Sequence, residues 1–424
     1  MFSHPAKSFS DIWNITASGE VHPPLYYWIT HAMLYLDVSV FSLRIVPVIF
    51  GVLSIPLVYF LGSELYSDRA GIISAMILTI SQSHIFYSQE ARSYTMLLFF
   101  AILTLYLYLK CFKTNETRYF ILLGVVSGVA FWTHFWSVIF IIPVMASVLY
   151  KMLTERCNYT NHTLSLFISI LIAFPLITVL MDIYKIRTSS EIYWGMKGID
   201  LVAGVFSEFS GNANGVVIAI YIALIVFGLW VLSLKDRNIT IFSCIVVCFG
   251  FAFSLLMAGK VPMMPRYLIP LYGLFIPFVG IGISKLWETY RGISVVLIGF
   301  ILIASGGSLI PYYTQYSHEN WDLYSDMLED MTVPGDTVIV IPDYNRNVFD
   351  FYYNSTSDRT MEYGIYNNLA ELQQRTSNNG KTYYVITNDI YAVDPQAKML
   401  QWLDGNAKFV SNSYGIVTFV KTPV

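Results

Sequence analysis

Glu90 and Arg92 stand two residues apart in "FYSQEARSY" (86–94), with Tyr87, Gln89 and Tyr94 around them. A carboxylate within reach of a reacting hydroxyl can take its proton, and a guanidinium can hold an anion through a planar fork that stays charged. Residues of the same kind recur where apolar runs end. Asp11, Glu20, His22, His31 and Asp37 precede the first long run, His134 sits in "WTHFW", and Lys260 and Arg266 flank "VPMMP". Ionisable groups at a membrane boundary cost free energy unless paired or hydrated, so they first suggest function. The competing reading is a set of interfacial anchors in a Tyr/Trp belt. That reading suits Arg44, Tyr26 and Tyr27 better. It suits Glu90 and Arg92 less well, because a short connection does not need "QEAR" to turn.

The elements that must carry these residues are membrane helices. The 424 residues are 55% hydrophobic and 12% charged, against roughly 25% charged in ordinary soluble domains, and mean hydropathy is +0.56. About ten windows suffice to cross a bilayer as helices: 42–62, 70–87, 94–110, 118–133, 135–150, 163–182, 214–234, 239–258, 266–285 and 292–311. The stretch 22–36, "HPPLYYWITHAMLYL", is opened by two prolines and is better suited to a surface-lying or re-entrant helix. From residue 313 the pattern changes to a small α/β domain. Strands are expected in "VPGDTVIVIPDY", "GKTYYVITND" and "YGIVTFVK", and helices in "WDLYSDMLEDM", "NRNVFDFYY" and "NLAELQQR". The expected domains are therefore 1–312, with a first external loop over 1–41, and 313–424.

Alternate connections hold Arg69; Lys110, Lys113 and Arg118; Lys151 and Arg156; Lys235 and Arg237; and Lys285 and Arg291. By the positive-inside rule these loops are cytoplasmic. Glu90, Arg92, His134, Lys260 and the C-terminal domain are then extracytoplasmic. Both termini also fall outside, and "MFSHPAKSFSDIW" lacks the apolar core of a signal peptide. The expectation is that a helix precedes this sequence. The net charge of −3 gives no reason to expect a nucleic-acid partner, and the cysteines form no metal-type or disulfide framework.

"GEVHPPLYYWITH", "SLRIVPVIFGVLSIPLVYFLG", "HIFYSQEARSY" and "PRYLIPLYGLF", in that order, resemble the GT-C superfamily of polyprenyl-phosphate-sugar-dependent glycosyltransferases. The nearest likeness is to its protein mannosyltransferase-like and aminoarabinose-transferase-like members, over about residues 5–312. The resemblance implies an active site at the outer membrane boundary and inverting transfer from a polyprenyl-phosphate sugar. The acceptor would be a lipid-linked glycan, a protein or a cell-surface polymer.

Residue by residue, the resemblance makes Glu90 the second-loop acid, and Glu20 and His22 the acidic and basic positions before the Pro-Pro pair. Arg92 follows that second acid, and Arg266 with Tyr267 matches the "RY" before a late helix. Glu90 and Glu20 are thus the catalytic candidates. Arg92, Lys260 and Arg266 are candidates for the donor phosphate, and His22, Tyr87, Gln89, Tyr94, His134 and Tyr267 for substrate. Glu20 and His22 could also hold a divalent cation, or simply cap and pair locally. Family members carry an earlier helix and an Asp-Glu pair at the start of the first external loop. This chain begins after that point, so a degenerate non-catalytic copy is one alternative. A transporter or flippase is another, but it would place polar residues near the bilayer midplane and show symmetry-related repeats.

Overall fold

The computed structural model describes residues 8–18, 22–154, 159–188, 195–314, 319–353, 360–363, 369–374, 380–394 and 396–422. The chain divides into two compact units, residues 2–309 and 310–424.

The first unit is helical. Its elements are α1 (Phe9–Ala17), α2 (Leu25–Leu34), α3 (Val40–Leu65), α4 (Asp68–Ile80), α5 (Gln82–Gln89), α6 (Tyr94–Thr114), α7 (Thr117–Thr133), α8 (Val138–Thr154), α9 (Tyr159–Thr188), α10 (Gly198–Ser210), α11 (Gly215–Lys235), α12 (Arg237–Met257), α13 (Tyr272–Thr289) and α14 (Arg291–Thr314). Among the described residues eight helices are long and apolar enough to cross a membrane, and α4 with α5 would make a ninth span. Every apolar window read from the sequence is helical, and the protein is an integral membrane protein. Two windows differ in detail. The one over 70–87 is broken, α4 and α5 meeting at 58°. The cause is local: Ser81 is extended (ψ 118°), and its hydroxyl accepts from the His84 N–H to start a new helix. The window over 118–133 forms α7, which at 17 residues is short for a span.

The helix α2 has ten residues, too few to cross. It docks by way of a proline in its neighbour. Pro47 inside α3 cannot donate to the Leu43 carbonyl one turn back, and the Tyr26 hydroxyl donates to that carbonyl at 3.4 Å. Asp11 is spoken for by local structure, since its carboxylate accepts from the Ser8 N–H at 2.7 Å in a capping box that starts α1. At the centre lies α13, buried continuously from Tyr272 to Ser284. A Cβ at Gly228 would strike the Phe278 carbonyl, and one at Gly280 the Ala70 carbonyl. Glycine is therefore what lets α11 and α4 close on α13.

In the second unit five strands, β1 (Thr337–Ile341), β2 (Thr360–Tyr363), β3 (Thr382–Thr387), β4 (Lys408–Ser413) and β5 (Ile416–Lys421), form one sheet in the order β2-β1-β3-β5-β4. The β2-β1-β3 pairs are parallel and the other two antiparallel. The fully buried β1 and β3, with β5, are the strands read from the sequence. Both edge strands escaped that reading: β2 is four residues long, and β4, "KFVSNS", is mostly exposed and polar. The expected helices are present as α15 (Trp321–Met331), α16 (Arg346–Tyr352) and α17 (Leu369–Gln374).

Candidate active site

The two ends of the helical unit differ in kind. At one end the basic connections gather. Glu64 at the end of α3 binds Lys110 and Lys113, each at 2.7 Å. Lys235 donates to the Leu65 and Tyr66 carbonyls at 3.3 and 2.6 Å.

Glu90, Arg92, His134 and Arg266 lie at the opposite end. Glu90 terminates α5: its N–H still donates to Phe86 while its backbone is extended. The Arg92 N–H turns back onto the Glu90 carbonyl at 2.6 Å, so both side chains are presented from one tight turn. The charges of both reach Tyr26 of α2, whose hydroxyl burial pushes well above the ordinary phenol range. Among the described residues neither Glu90 nor Arg92 has an ion-pair partner within 4 Å.

Arg266 follows Pro265, which opens a 3₁₀ turn over Pro265–Leu271. Its guanidinium carbon lies 5.8 Å from the ring centres of both Tyr94 and Tyr267, within cation–π range. Tyr94 also packs on Tyr87 at 5.1 Å, and Tyr267 stacks on Trp136 at 5.8 Å and 4°. The electrostatic neighbours of Arg92 include Arg266, Tyr94 and Tyr27. Two guanidinium groups and one carboxylate thus share an aromatic-walled corner, held there by α2, α5, α6 and the 3₁₀ turn before α13.

His134 stands where α7 ends, only 2% exposed. Its ring meets those of His22 at 5.1 Å, Tyr94 at 5.8 Å and Tyr267 at 6.0 Å. Its Nδ1 accepts from the Trp136 N–H at 3.1 Å, which leaves the proton on Nε2. Burial above all, then His22 and Arg266 beside it, hold its pKa well below the ordinary histidine value, so the ring is neutral at pH 7. Both the Nε2 of His134 and the Nε of Arg266 are buried donors with no acceptor among the described residues. Leaving such groups unpaired costs roughly 1–3 kcal/mol each, more for a charged one, and a ligand that accepts from them would remove the penalty.

Two sequence candidates are not among the side chains in these contacts. The Lys260 ammonium donates to the Tyr184 hydroxyl at 3.1 Å, on α9, and Glu20 lies outside the described residues. Gln89 is exposed on the last turn of α5. Among the described residues no three His, Cys, Asp or Glu side chains converge to hold a metal ion. One residue of the corner escaped the sequence reading. Glu208 of α10 accepts from the Tyr87 hydroxyl at 2.8 Å, and burial pushes its carboxyl up to about 7, with Tyr87 and Arg266 pulling the other way. The available signal was a lone acid in the apolar run "LVAGVFSEFSG".

Comparison with known proteins agrees with this architecture. Residues 21–181 match the family model of dolichyl-phosphate-mannose-protein mannosyltransferases. ArnT from Cupriavidus metallidurans, solved with undecaprenyl phosphate, superposes with a TM-score of 0.58 at 12% identity, over 99% of this chain and 93% of its own. The Archaeoglobus fulgidus oligosaccharyltransferase, solved with zinc and sulfate, gives 0.55 at 13% identity, over 94% and 64%. The oligosaccharyltransferase AglB from Archaeoglobus fulgidus, solved with an inhibitory peptide and a dolichol-phosphate, gives 0.54 at 11% identity, over 94% and 66%. No curated protein matches by sequence. The fold is that of a polytopic membrane glycosyltransferase. The likeness to the solved structures is one of fold, and the family match lies within residues 21–181.

Proposed function

We propose that this protein transfers a sugar from a polyprenyl-phosphate donor to a hydroxyl or similar nucleophile of a glycan, lipid or protein acceptor, with inversion, at the extracytoplasmic face. The observation that carries the reading is the meeting of Arg92, Arg266 and Glu90 in one corner, with Arg266 held over the rings of Tyr94 and Tyr267. In the reaction the acceptor oxygen bonds to the anomeric carbon as the bond from that carbon to the phosphate oxygen breaks. The electron pair leaves on the phosphate, and the acceptor proton passes to a base. Arg92 and Arg266 meet the charge as it builds, the kind of contact whose loss costs about 10²–10³ in rate. Glu90 orients the acceptor hydroxyl and takes its proton. The neutral His134 donates from Nε2 to a donor oxygen, and Tyr94 and Tyr267 wall the sugar. His22, across the ring of His134, completes that wall. Holding the reactants in line contributes roughly 7–11 kcal/mol more.

The test incubates membranes containing the protein with labelled polyprenyl-phosphate sugars, identifies the product, and repeats the assay with Glu90→Gln. The expected outcome is labelled acceptor with the native chain and at least about a tenfold loss with the variant at equal membrane expression. Equal rates would remove Glu90 from the mechanism. Donor flux across liposomes without product would replace the enzyme by a transporter.

A further inference from the structure

We infer that Glu208 is a positioning residue whose charge state sets how tightly Arg266 holds the donor phosphate. The inference rests on the function proposed above and adds a residue that function did not require.

The geometry is a relay of four side chains. Glu208 Oε1 accepts from the Tyr87 hydroxyl at 2.8 Å. One turn earlier on the same helix, the Ser83 hydroxyl donates to the Glu208 carbonyl. Two contacts to one residue therefore fix α5, the helix that ends at Glu90. The Tyr87 ring sets its edge against Tyr94 at 5.1 Å, and Tyr94 lies under the Arg266 guanidinium. Glu208 and Arg266 are outside ion-pair distance yet within each other's field.

Other elements packed on α10 bring few competing charges. From α13 comes Tyr272, whose hydroxyl points to the Val205 carbonyl. Tyr221 of α11 packs on Phe209, and Phe251 of α12 on Phe206. His22 is a further titratable group near the corner, reached through His134.

The consequence has a definite sign. With its pKa raised to about 7, the carboxyl is neutral below that pH and anionic above it. When neutral, it leaves the full charge of Arg266 to the phosphate. When ionised, it offsets part of that charge, and phosphate affinity falls. A sugar-linked polyprenyl phosphate is a diester whose single charge does not change over this range, so the pH response must come from the protein.

The experiment measures binding of a polyprenyl methyl phosphate, a diester with no transferable sugar, to the purified full chain in nanodiscs from pH 5.5 to 8.5. The native protein should bind about three- to tenfold more weakly at the alkaline end. Glu208→Gln should lose most of that pH response. Tyr87→Phe removes a bond that favours the ionised carboxyl, so it should move the midpoint to higher pH whatever it does to the affinity itself. Identical pH profiles for native protein and Glu208→Gln overturn the inference, as does an unmoved midpoint in Tyr87→Phe. No binding by the native protein at any pH overturns the phosphate-site reading as well. Intact binding without sugar transfer from any donor overturns the proposed reaction alone.

Discussion

The basic end of the bundle and the Glu90 end both concentrate ionisable residues, but they use them in opposite ways. At the basic end, several cations find negative partners. Glu64 takes two lysines, Lys235 takes two carbonyls at the end of α3, and Lys285 takes Glu288 at 2.9 Å. Such contacts tie helix ends together and leave little for a ligand to satisfy. At the Glu90 end, Arg266 lies over ring faces, and buried donors on it and on His134 face no acceptor among the described residues. A fold keeps such groups only where something else completes them. On the function proposed above, the first arrangement serves architecture and the second leaves donors open to a ligand.

That contrast can be broken by mutation. The largest effect is expected at Arg266→Ala, which should lower sugar transfer by about 100-fold or more while the melting temperature in detergent changes little. Arg92→Ala comes next, at least about tenfold in the same assay. At the basic end the order of consequences should invert. Glu64→Gln leaves Lys110 and Lys113 unpaired at a carboxylate site only 12% exposed, so stability should fall by about 1–2 kcal/mol with transfer retained per folded molecule. Lys285→Ala is the smallest: its pair with Glu288 is 42% exposed on both sides, and the melting temperature should not move measurably. A loss of transfer at Glu64→Gln beyond its loss of folded protein would erase the distinction between the ends.

How much of this could be read in advance depended on whether the signal was local. Apolar runs declare themselves one residue after another, so every helix window was legible, as were β1, β3 and β5. The break at Ser81 was not, because a single extended serine inside "TISQSH" leaves the apolar pattern almost intact. Glu90 and Arg92 were legible because charge is rare in this chain. Glu208 was overlooked for the converse reason: one acid in an amphipathic helix looks like a solvated face until the fold brings it to Tyr87, 121 positions away in the chain. Lys260 was legible for the same reason as Arg266, but its partner was not. It flanks the same motif as Arg266, but that short connection carries it to Tyr184.

The short helices at the start of the chain offer a way to watch the corner assemble. Trp13 of α1, Trp28 of α2 and Trp132 of α7 lie with ring centres 5.6–6.4 Å apart, and the Trp28 indole N–H donates to the Phe9 carbonyl at 3.1 Å. Three indoles at this separation couple optically. Their near-ultraviolet circular dichroism is therefore a native reporter on the seating of α1 and α2 against α7, the helix that delivers His134, with no label attached.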